Sequence, residues 1–248
     1  GFIFLITQYF QFIHGYGPFE AGVRTLPVAI AVAVASILGM RAAVRLGTKL
    51  VVSTGLLLLA VFFTWVSTST VSTTYLTIAL AMVVCGTGMG LTSAPATEAI
   101  MGVVPVDKAG VGSAVNDATR LLGSTLGVAV IGSVYASVYA SQLTSTLPAA
   151  LPHAFAQAAH QSVGAAFTVA ARVAQSGHPA LGGALHFAAA HAFTHGLSLG
   201  CLVAGGVSAV GALMAGLLLP AQPPRPAVAG AEAPAPRRQA AEPVPALD

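Results

Sequence analysis

Charged residues are scarce in this sequence. Only 7% of its 248 residues are Asp, Glu, Lys or Arg, against about 25% in a typical soluble domain. A soluble fold could not cover its surface with so few charges, so this composition excludes an ordinary soluble protein. The 10 basic residues are spread along the chain and form no patch. Because a nucleic-acid surface needs clustered basic residues, we expect no nucleic-acid partner.

Cysteine is almost as rare. The two that occur, Cys85 and Cys201, lie inside apolar runs, where a thiol behaves as a small hydrophobic group. Two cysteines do not make the disulfide framework of a small secreted domain. No combination of Ser, His, Asp and Cys typical of a nucleophilic site stands out either. We therefore predict no enzymatic activity and no cofactor.

Long apolar runs are what the sequence has instead. Hydrophobic residues make up 56% of the chain, and its mean hydropathy is +0.84. The runs match the roughly 20 residues that a helix needs to cross a bilayer. We predict an all-α transmembrane bundle of six helices, embedded in the lipid bilayer. Its six spans are 1–13, 26–44, 50–66, 75–104, 110–143 and 192–219, the first read as the end of a helix that begins upstream.

The chain divides into four parts by composition. Residues 144–190 are rich in Pro, His, Gln and Ala with loosely spaced apolar residues, a pattern typical of an amphipathic helix at the membrane interface. The Pro- and Ala-rich end cannot bury a core, which predicts a disordered tail. The predicted parts are 1–143 (helices one to five), 144–190 (interfacial segment), 191–220 (last span) and 221–248 (tail).

The basic residues orient these spans. Lys and Arg concentrate in short cytoplasmic loops of membrane proteins. One orientation leaves only Arg24 and Arg172 outside. It predicts a multi-pass protein of the plasma or inner membrane with an extracellular 144–190 segment and a cytoplasmic C-terminus. The basic residues that it places inside are Arg41, Arg45, Lys49, Lys108, Arg225, Arg237 and Arg238.

Ionisable residues inside the predicted spans are the candidates for chemistry, because each costs about 2.5–3.5 kcal/mol at a helix centre. Asp117 and Arg120 are spaced i,i+3 and share a helix face with Ser113 and Ser124. The stripe could face a water-filled path, with Asp117 titrating and Arg120 tuning its pKa or contacting substrate. The alternative is a structural ion pair near the cytoplasmic helix end.

Glu98 follows Pro95, so a kinked helix could bring this carboxylate close to a polar path. Since Glu98 should also lie near the inner membrane face, simple solvation is the alternative. Glycines occur four apart in both neighbouring spans, a spacing that favours close helix crossing. The predicted packing glycines are Gly86, Gly90, Gly123 and Gly127.

His191 and His195 are spaced i,i+4, as in helical zinc sites. The metalloprotease motif needs Glu directly after the first His, and Ala192 stands there. We therefore interpret the histidines as solvated interfacial residues and predict no metal site.

Several tracts together resemble the second half of the major facilitator superfamily, in particular the fourteen-helix drug:proton antiporters of the EmrB/QacA type. The most specific tract, 109–120, includes Asn116 and resembles the family's fifth helix of this half. Arg45, Gly47 and Lys49 resemble the end of its cytoplasmic loop signature, although Val44 replaces the expected acid. The other tracts are 8–11, 15–16, 20–22, 26–27, 88–91 and 94–95.

The resemblance implies proton-coupled efflux of small amphipathic compounds or drugs by alternating access between two bundles. The implied partners are a small-molecule substrate, protons and an N-terminal bundle of the same chain. A fragment with one bundle should not transport alone. Two alternatives stay open: an uptake carrier of the same fold, and a non-transporting membrane scaffold or truncated transporter remnant.

Overall fold

The computed structural model describes residues 1–147 and 152–219, and the tail predicted over 221–248 lies outside them. The described residues form helices and no strands, which confirms the all-α prediction. The helices are α1 (Phe2–Gln8, continued by a π-helical turn at Tyr9–Ile13), α2 (Pro18–Arg24), α3 (Leu26–Leu46), α4 (Thr48–Ser67), α5 (Tyr75–Met101), α6 (Ala109–Thr146), α7 (His153–Gln161), α8 (Val163–Gln175) and α9 (Pro179–Leu218).

Five helices in the described part of the chain are long and apolar enough to cross a membrane. They begin with α2–α3 taken together and continue with α4, α5, α6 (with the short turn before it) and α9. The first predicted span is a shorter apolar helix, Phe2–Ile13. Each of the longer helices is apolar over a window that matches the thickness of the hydrocarbon core.

The helices run alternately between two ends of the bundle. We call these the Gly47 end, with the α3–α4 link and residues 102–108, and the Thr70 end, with residues 14–17 and 68–74. Side chains tie neighbouring helices at the Thr70 end. The Tyr9 hydroxyl donates to the Thr70 carbonyl oxygen at 2.8 Å, and the Ser198 hydroxyl donates to that of Ser67 at 2.6 Å.

A single residue, Gly47, connects α3 to α4. Its φ of +90° and ψ of 146° lie in a region that side chains strongly disfavour. The glycine is buried, while Arg45 before it is exposed and Lys49 after it is partly exposed. The backbone conformation alone therefore requires glycine at this position of the predicted loop signature, independent of any gating role.

Glycine also sets the distance between α5 and its neighbours. A Cβ at Gly86 would clash with the carbonyl oxygen of Val28 on α3. At Gly90 it would lie 2.7 Å from the Ala35 Cβ. Gly88, between them, faces α4, where a Cβ would lie 2.7 Å from the Gly55 carbonyl oxygen. These contacts let α5 cross two helices at backbone distance.

The other two predicted packing glycines lie on an open surface. A Cβ at Gly123 or Gly127 would meet no described atom within 4 Å. Among the described residues, nothing packs at either glycine. Large apolar side chains of α6, such as Leu121 (68% exposed) and Leu122 (64% exposed), are exposed as well.

The amphipathic region differs from the prediction in extent and in partner. The last long helix begins at Pro179, earlier than the predicted 191, so only α7 and α8 remain as short helices. The apolar face of α8, with Val163, Ala166 and Val173, is buried in the main core together with Leu185 of α9. Packing against α8 thus stabilises the Ala- and Gly-rich start of α9 as a helix. The apolar face of α8 is covered by protein and not by the membrane interface.

Candidate functional site

One side of α6 carries the polar stripe identified in the sequence. Because α6 is continuous from Ala109 to Thr146, its periodicity holds and Ser113, Asp117, Arg120 and Ser124 share one side. All four are exposed, whereas Asn116, beside them, is buried. The stripe therefore lies on an open face of an otherwise apolar helix.

The ion pair considered for this stripe does not form. Among the described residues, the salt bridge within 4.0 Å joins Arg24 to Glu20 at 2.7 Å. Asp117 and Arg120 make no such contact, because i,i+3 spacing allows side chains to meet without requiring it and each exposed head group can be solvated separately. The acid and the base thus share one side of α6 without a salt bridge to each other.

Glu98 lies one turn after a break in the hydrogen bonding of α5. Pro95 is buried within that helix and has no N–H, so the Leu91 carbonyl lacks its usual donor. Glu98 itself is exposed, and its main-chain carbonyl accepts from the Gly102 N–H at 2.8 Å. The carboxylate is therefore near the Gly47 end, where it can reach solvent.

The polar stripe of α6 ends at a packed region on the same helix side. Ile131 lies opposite Gly1 and Gly200, where added Cβ atoms would approach it to 3.0 Å and 3.4 Å. One turn later the Tyr135 ring lies against Gly196, where a Cβ would be 2.9 Å from the ring. The face thus changes from open to covered between Ser124 and Ile131.

Aromatic side chains of α1 and α9 meet Tyr135 of α6 in this region. The Tyr135 ring is edge-on to Phe193 of α9 at a centroid distance of 5.5 Å, and Phe193 stacks on Tyr9 at 6.4 Å. Tyr9 is 1% exposed and Phe193 is fully buried. We call Tyr9, Phe193 and Tyr135 the aromatic cluster. The spacing of these residues in the sequence does not predict the cluster, because they come from distant segments that only the tertiary fold brings together.

Tyr135 differs from its neighbours in its hydroxyl group. The Tyr9 hydroxyl donates to Thr70, and the Tyr139 hydroxyl donates to the Ala159 carbonyl oxygen at 3.0 Å. The Tyr135 hydroxyl is buried with no partner in the described residues. Buried polar groups are nearly always hydrogen-bonded, so this one needs an explanation.

A second aromatic group surrounds His14 at the corner between α1 and α2. The His14 ring stacks on Tyr16 at 5.2 Å and meets Tyr9 edge-on at 5.0 Å. The Arg24 guanidinium lies over the same Tyr16 ring at 3.8 Å and over Tyr75 at 4.8 Å. Burial lowers the pKa of His14, and the positive charge of Arg24 lowers it further. The corner therefore favours a neutral imidazole.

No group of three or more potential metal ligands occurs in the part of the chain that the structure describes. His191 and His195 are both exposed on α9. A pair of exposed histidines supplies too few ligands for a structural zinc site.

Comparison with known proteins gives one family and several relatives. Residues 1–128 match the family described as Major Facilitator Superfamily. The chain is similar to the Multidrug resistance protein Stp of Mycobacterium tuberculosis (strain CDC 1551 / Oshkosh), 34% identical over 133 residues, 54% of this chain and 25% of that protein. It is similar to the Multidrug efflux pump LfrA of Mycolicibacterium smegmatis, 33% identical over 133 residues, 54% of this chain and 26% of that protein.

A third relative is the Methylenomycin A resistance protein of Streptomyces coelicolor, 34% identical over 132 residues, 53% of this chain and 28% of that protein. The matched segment amounts to about a quarter of the length of these curated relatives. Their names concern drug resistance and efflux.

Proposed function

The chain belongs to the major facilitator superfamily, which matches residues 1–128, and we propose a narrower place for it within that family. It is the second half of a fourteen-helix drug:proton antiporter of the EmrB/QacA type. The full protein exports small amphipathic compounds by alternating access, with the substrate path between this bundle and an N-terminal one. Relatives named for multidrug efflux support export over uptake.

The observation that carries this proposal is the open polar stripe on α6. An acid and a base that form no salt bridge with any described residue are costly on a transmembrane helix unless they face water or a partner. We assign the coupling proton to Asp117, and Arg120 lies beside it on the same side of the helix. The N-terminal bundle would pack where Gly123 and Gly127 leave open space.

Orientation follows from the basic residues. We place the Gly47 end, with Arg45 and Lys49, in the cytoplasm of a cell whose plasma or inner membrane holds the protein. The C-terminus is then cytoplasmic and the α7–α8 pair extracellular. Asp117 lies about two turns from the start of α6, so its proton reaches the cytoplasmic side by a short route.

The test uses the complete reading frame that contains this chain, expressed in cells that lack their own efflux pumps. Accumulation of a fluorescent lipophilic cation is followed with and without a protonophore. We expect exclusion that the protonophore abolishes, and loss of exclusion in Asp117→Asn. Asp107→Asn is the matched control, because Asp107 is exposed in the turn before α6.

Each other outcome contradicts part of the proposal. Exclusion that survives in Asp117→Asn would remove this residue from proton coupling and turn attention to Glu98. No protonophore-sensitive exclusion of any cation tested would contradict export and leave the scaffold or remnant alternative. Accumulation above that of empty cells would indicate uptake.

A further inference from the structure

The first part of α9 projects beyond the neighbouring α4 at the Thr70 end. The Ser198 hydroxyl of α9 donates to the carbonyl oxygen of Ser67, the last residue of α4, at 2.6 Å. From Ser198 to Leu218, α9 is about 30 Å long, which matches the thickness of the hydrocarbon core. Residues 179–197 therefore extend past the hydrocarbon boundary, by up to about 28 Å along the helix axis.

Two histidines of this projecting part lie at the level of the lipid headgroups. Along the axis of α9, His195 is about 4.5 Å and His191 about 10 Å beyond Ser198. The headgroup layer adds about 5–8 Å to each side of the hydrocarbon core. His195 therefore lies within this layer and His191 at its outer margin. Both side chains are exposed, and neither forms a salt bridge with a described residue.

The two histidines continue an exposed apolar line on the same helix. Spacings of 4, 7 and 11 residues keep side chains on one side of an α-helix. They place four residues in one line along α9, which we call the α9 stripe: His191, His195, Leu202 and Leu213. Leu202 is 46% exposed and Leu213 is 62% exposed. A lipid whose acyl chain packs along Leu202 therefore has its headgroup beside the histidines.

The α9 stripe faces away from α6. Gly196 and Gly200 are positions of α9 at which an added Cβ would approach side chains of α6, to 2.9 Å and 3.4 Å. Because consecutive residues are turned by about 100°, His195 and Leu202 lie about 100–160° around the helix from these two glycines. The stripe is therefore turned away from the helix on which the N-terminal bundle is proposed to pack.

The charges of this region indicate the kind of lipid that fits. No Asp or Glu occurs in residues 121–219, and Glu20, close to the Thr70 end, is bonded to Arg24 at 2.7 Å. Histidine changes its charge between about pH 5 and 8. Acidification therefore adds positive charge to a surface that has no carboxylate of its own. Such a surface attracts an anionic headgroup.

The other titratable groups around this part of α9 do not oppose the change. Tyrosine stays neutral and arginine stays charged over this pH range, and a further histidine can only gain charge of the same sign. On α9 itself and on the helices packed against it, these groups are Tyr9, His14, Tyr135, Tyr139, Arg172, His178 and His186.

We propose that the α9 stripe binds an anionic phospholipid in the leaflet at the Thr70 end, and that protonated His195 and His191 hold its phosphate group. A protonated imidazole donates charge-assisted N–H hydrogen bonds to phosphate oxygens. The acyl chain packs along Leu202. Binding is therefore stronger in acid. It depends on the position of α9 in the membrane and not on transport.

The test identifies the bound lipid by photo-crosslinking. The complete protein carries a benzophenone amino acid in place of Leu202, and it is placed in nanodiscs of equal parts phosphatidylglycerol and phosphatidylcholine. After irradiation, mass spectrometry gives the ratio of the two lipid adducts. We expect the ratio of phosphatidylglycerol to phosphatidylcholine to rise severalfold from about pH 8 to about pH 5.5. His191→Gln combined with His195→Gln should abolish that rise.

Three controls separate the charge of the stripe from other effects. His195→Lys supplies a charge that persists at about pH 8, so phosphatidylglycerol should already be enriched there. His178→Gln combined with His186→Gln removes two histidines outside the stripe and should leave the rise intact. The same photoreactive residue in place of Leu213, at the level of the opposite leaflet, should give a ratio that does not change with pH.

The proposal is overturned if the ratio at Leu202 does not change with pH, or if the change survives in His191→Gln combined with His195→Gln. It is also overturned if the photoreactive residue crosslinks to another segment of the protein, since protein and not lipid would then cover the α9 stripe. Crosslinking requires no transported substrate. A failure of lipid binding is therefore distinguishable from a failure of the export assay.

Discussion

Asp117 and Tyr135 lie on the same side of α6, about five turns apart, one on an open face and the other packed against α9. This single helix therefore carries both the candidate proton site and one ring of the aromatic cluster. A tilt of α6 against α9 would move the two in concert, because no loop separates them.

Asp117 should matter little for folding. Since it is exposed and makes no salt bridge with a described residue, we expect Asp117→Asn to change the free energy of unfolding of this chain by no more than about 0.5 kcal/mol. Urea titration in detergent micelles measures it. Glu20→Gln, which removes the carboxylate bonded to Arg24 at 2.7 Å, is the comparison and should cost more. A larger loss in Asp117→Asn would indicate a structural role after all.

Substitution by alanine should lower the stability of the chain at Gly86 of α5 and raise it at Gly123 of α6. Gly86→Ala puts a methyl group against the backbone of α3 and should destabilise the chain by about 1–3 kcal/mol. Gly123→Ala meets nothing within 4 Å and should gain up to about 1 kcal/mol from helix propensity. Unfolding of the isolated chain in micelles compares them. If Gly123→Ala proves harmful only in the complete protein, the N-terminal bundle packs there.

Gly47 should tolerate no side chain. At φ +90° an alanine would be strained, at a cost of about 1–3 kcal/mol. We expect Gly47→Ala to lower folded yield and the thermal unfolding midpoint. Gly110→Ala is the control, since that glycine has open space and a helical backbone. Equal behaviour of the two variants would contradict the strained link.

Acid should loosen the corner between α1 and α2. The pKa of His14 is lowered in the folded state by burial and by Arg24, so the unfolded chain binds its proton first. Stability should therefore fall as pH drops below about 6.5 and stop falling below the folded pKa. Tyr9, Tyr16 and the Arg24–Glu20 pair are the other titratable groups around this ring.

The thermal unfolding midpoint against pH tests this, with His14→Gln expected to flatten the profile. His191→Gln, at an exposed site on α9, serves as control and should keep the acid-induced loss. An unchanged profile in His14→Gln would assign the pH dependence to other groups.

Hydropathy predicted most of the fold. The ends of α3, α4 and α6 lie within about three residues of the predicted ranges, since runs of Leu, Val, Ile and Ala give a strong signal at bilayer length. The early start of α9 was missed because Pro179–His191 is rich in Ala, Gly and His, and its helix depends on packing against α8. Family membership also followed from local tracts, chiefly 109–120.

The candidate site was predictable only in part. Spacing showed that Asp117 and Arg120 share a face, but it could not show whether they touch, because that depends on side-chain rotamers and on what else covers the face. The aromatic cluster left no signal at all in the sequence. Tyr9, Tyr135 and Phe193 come from distant apolar runs, and they meet only through the crossing of α1, α6 and α9.

The one-residue link at Gly47 leaves α3 and α4 no slack. A displacement of one helix is therefore transmitted to the other, and the pair should move as one rigid body about a hinge elsewhere. The irregular backbone at the Thr70 end is a candidate for this hinge, since a π-helical turn is followed there by Gly15 at φ +69°. Motion of this half of the molecule would then concentrate at a few residues near His14, while the helix pair stays rigid.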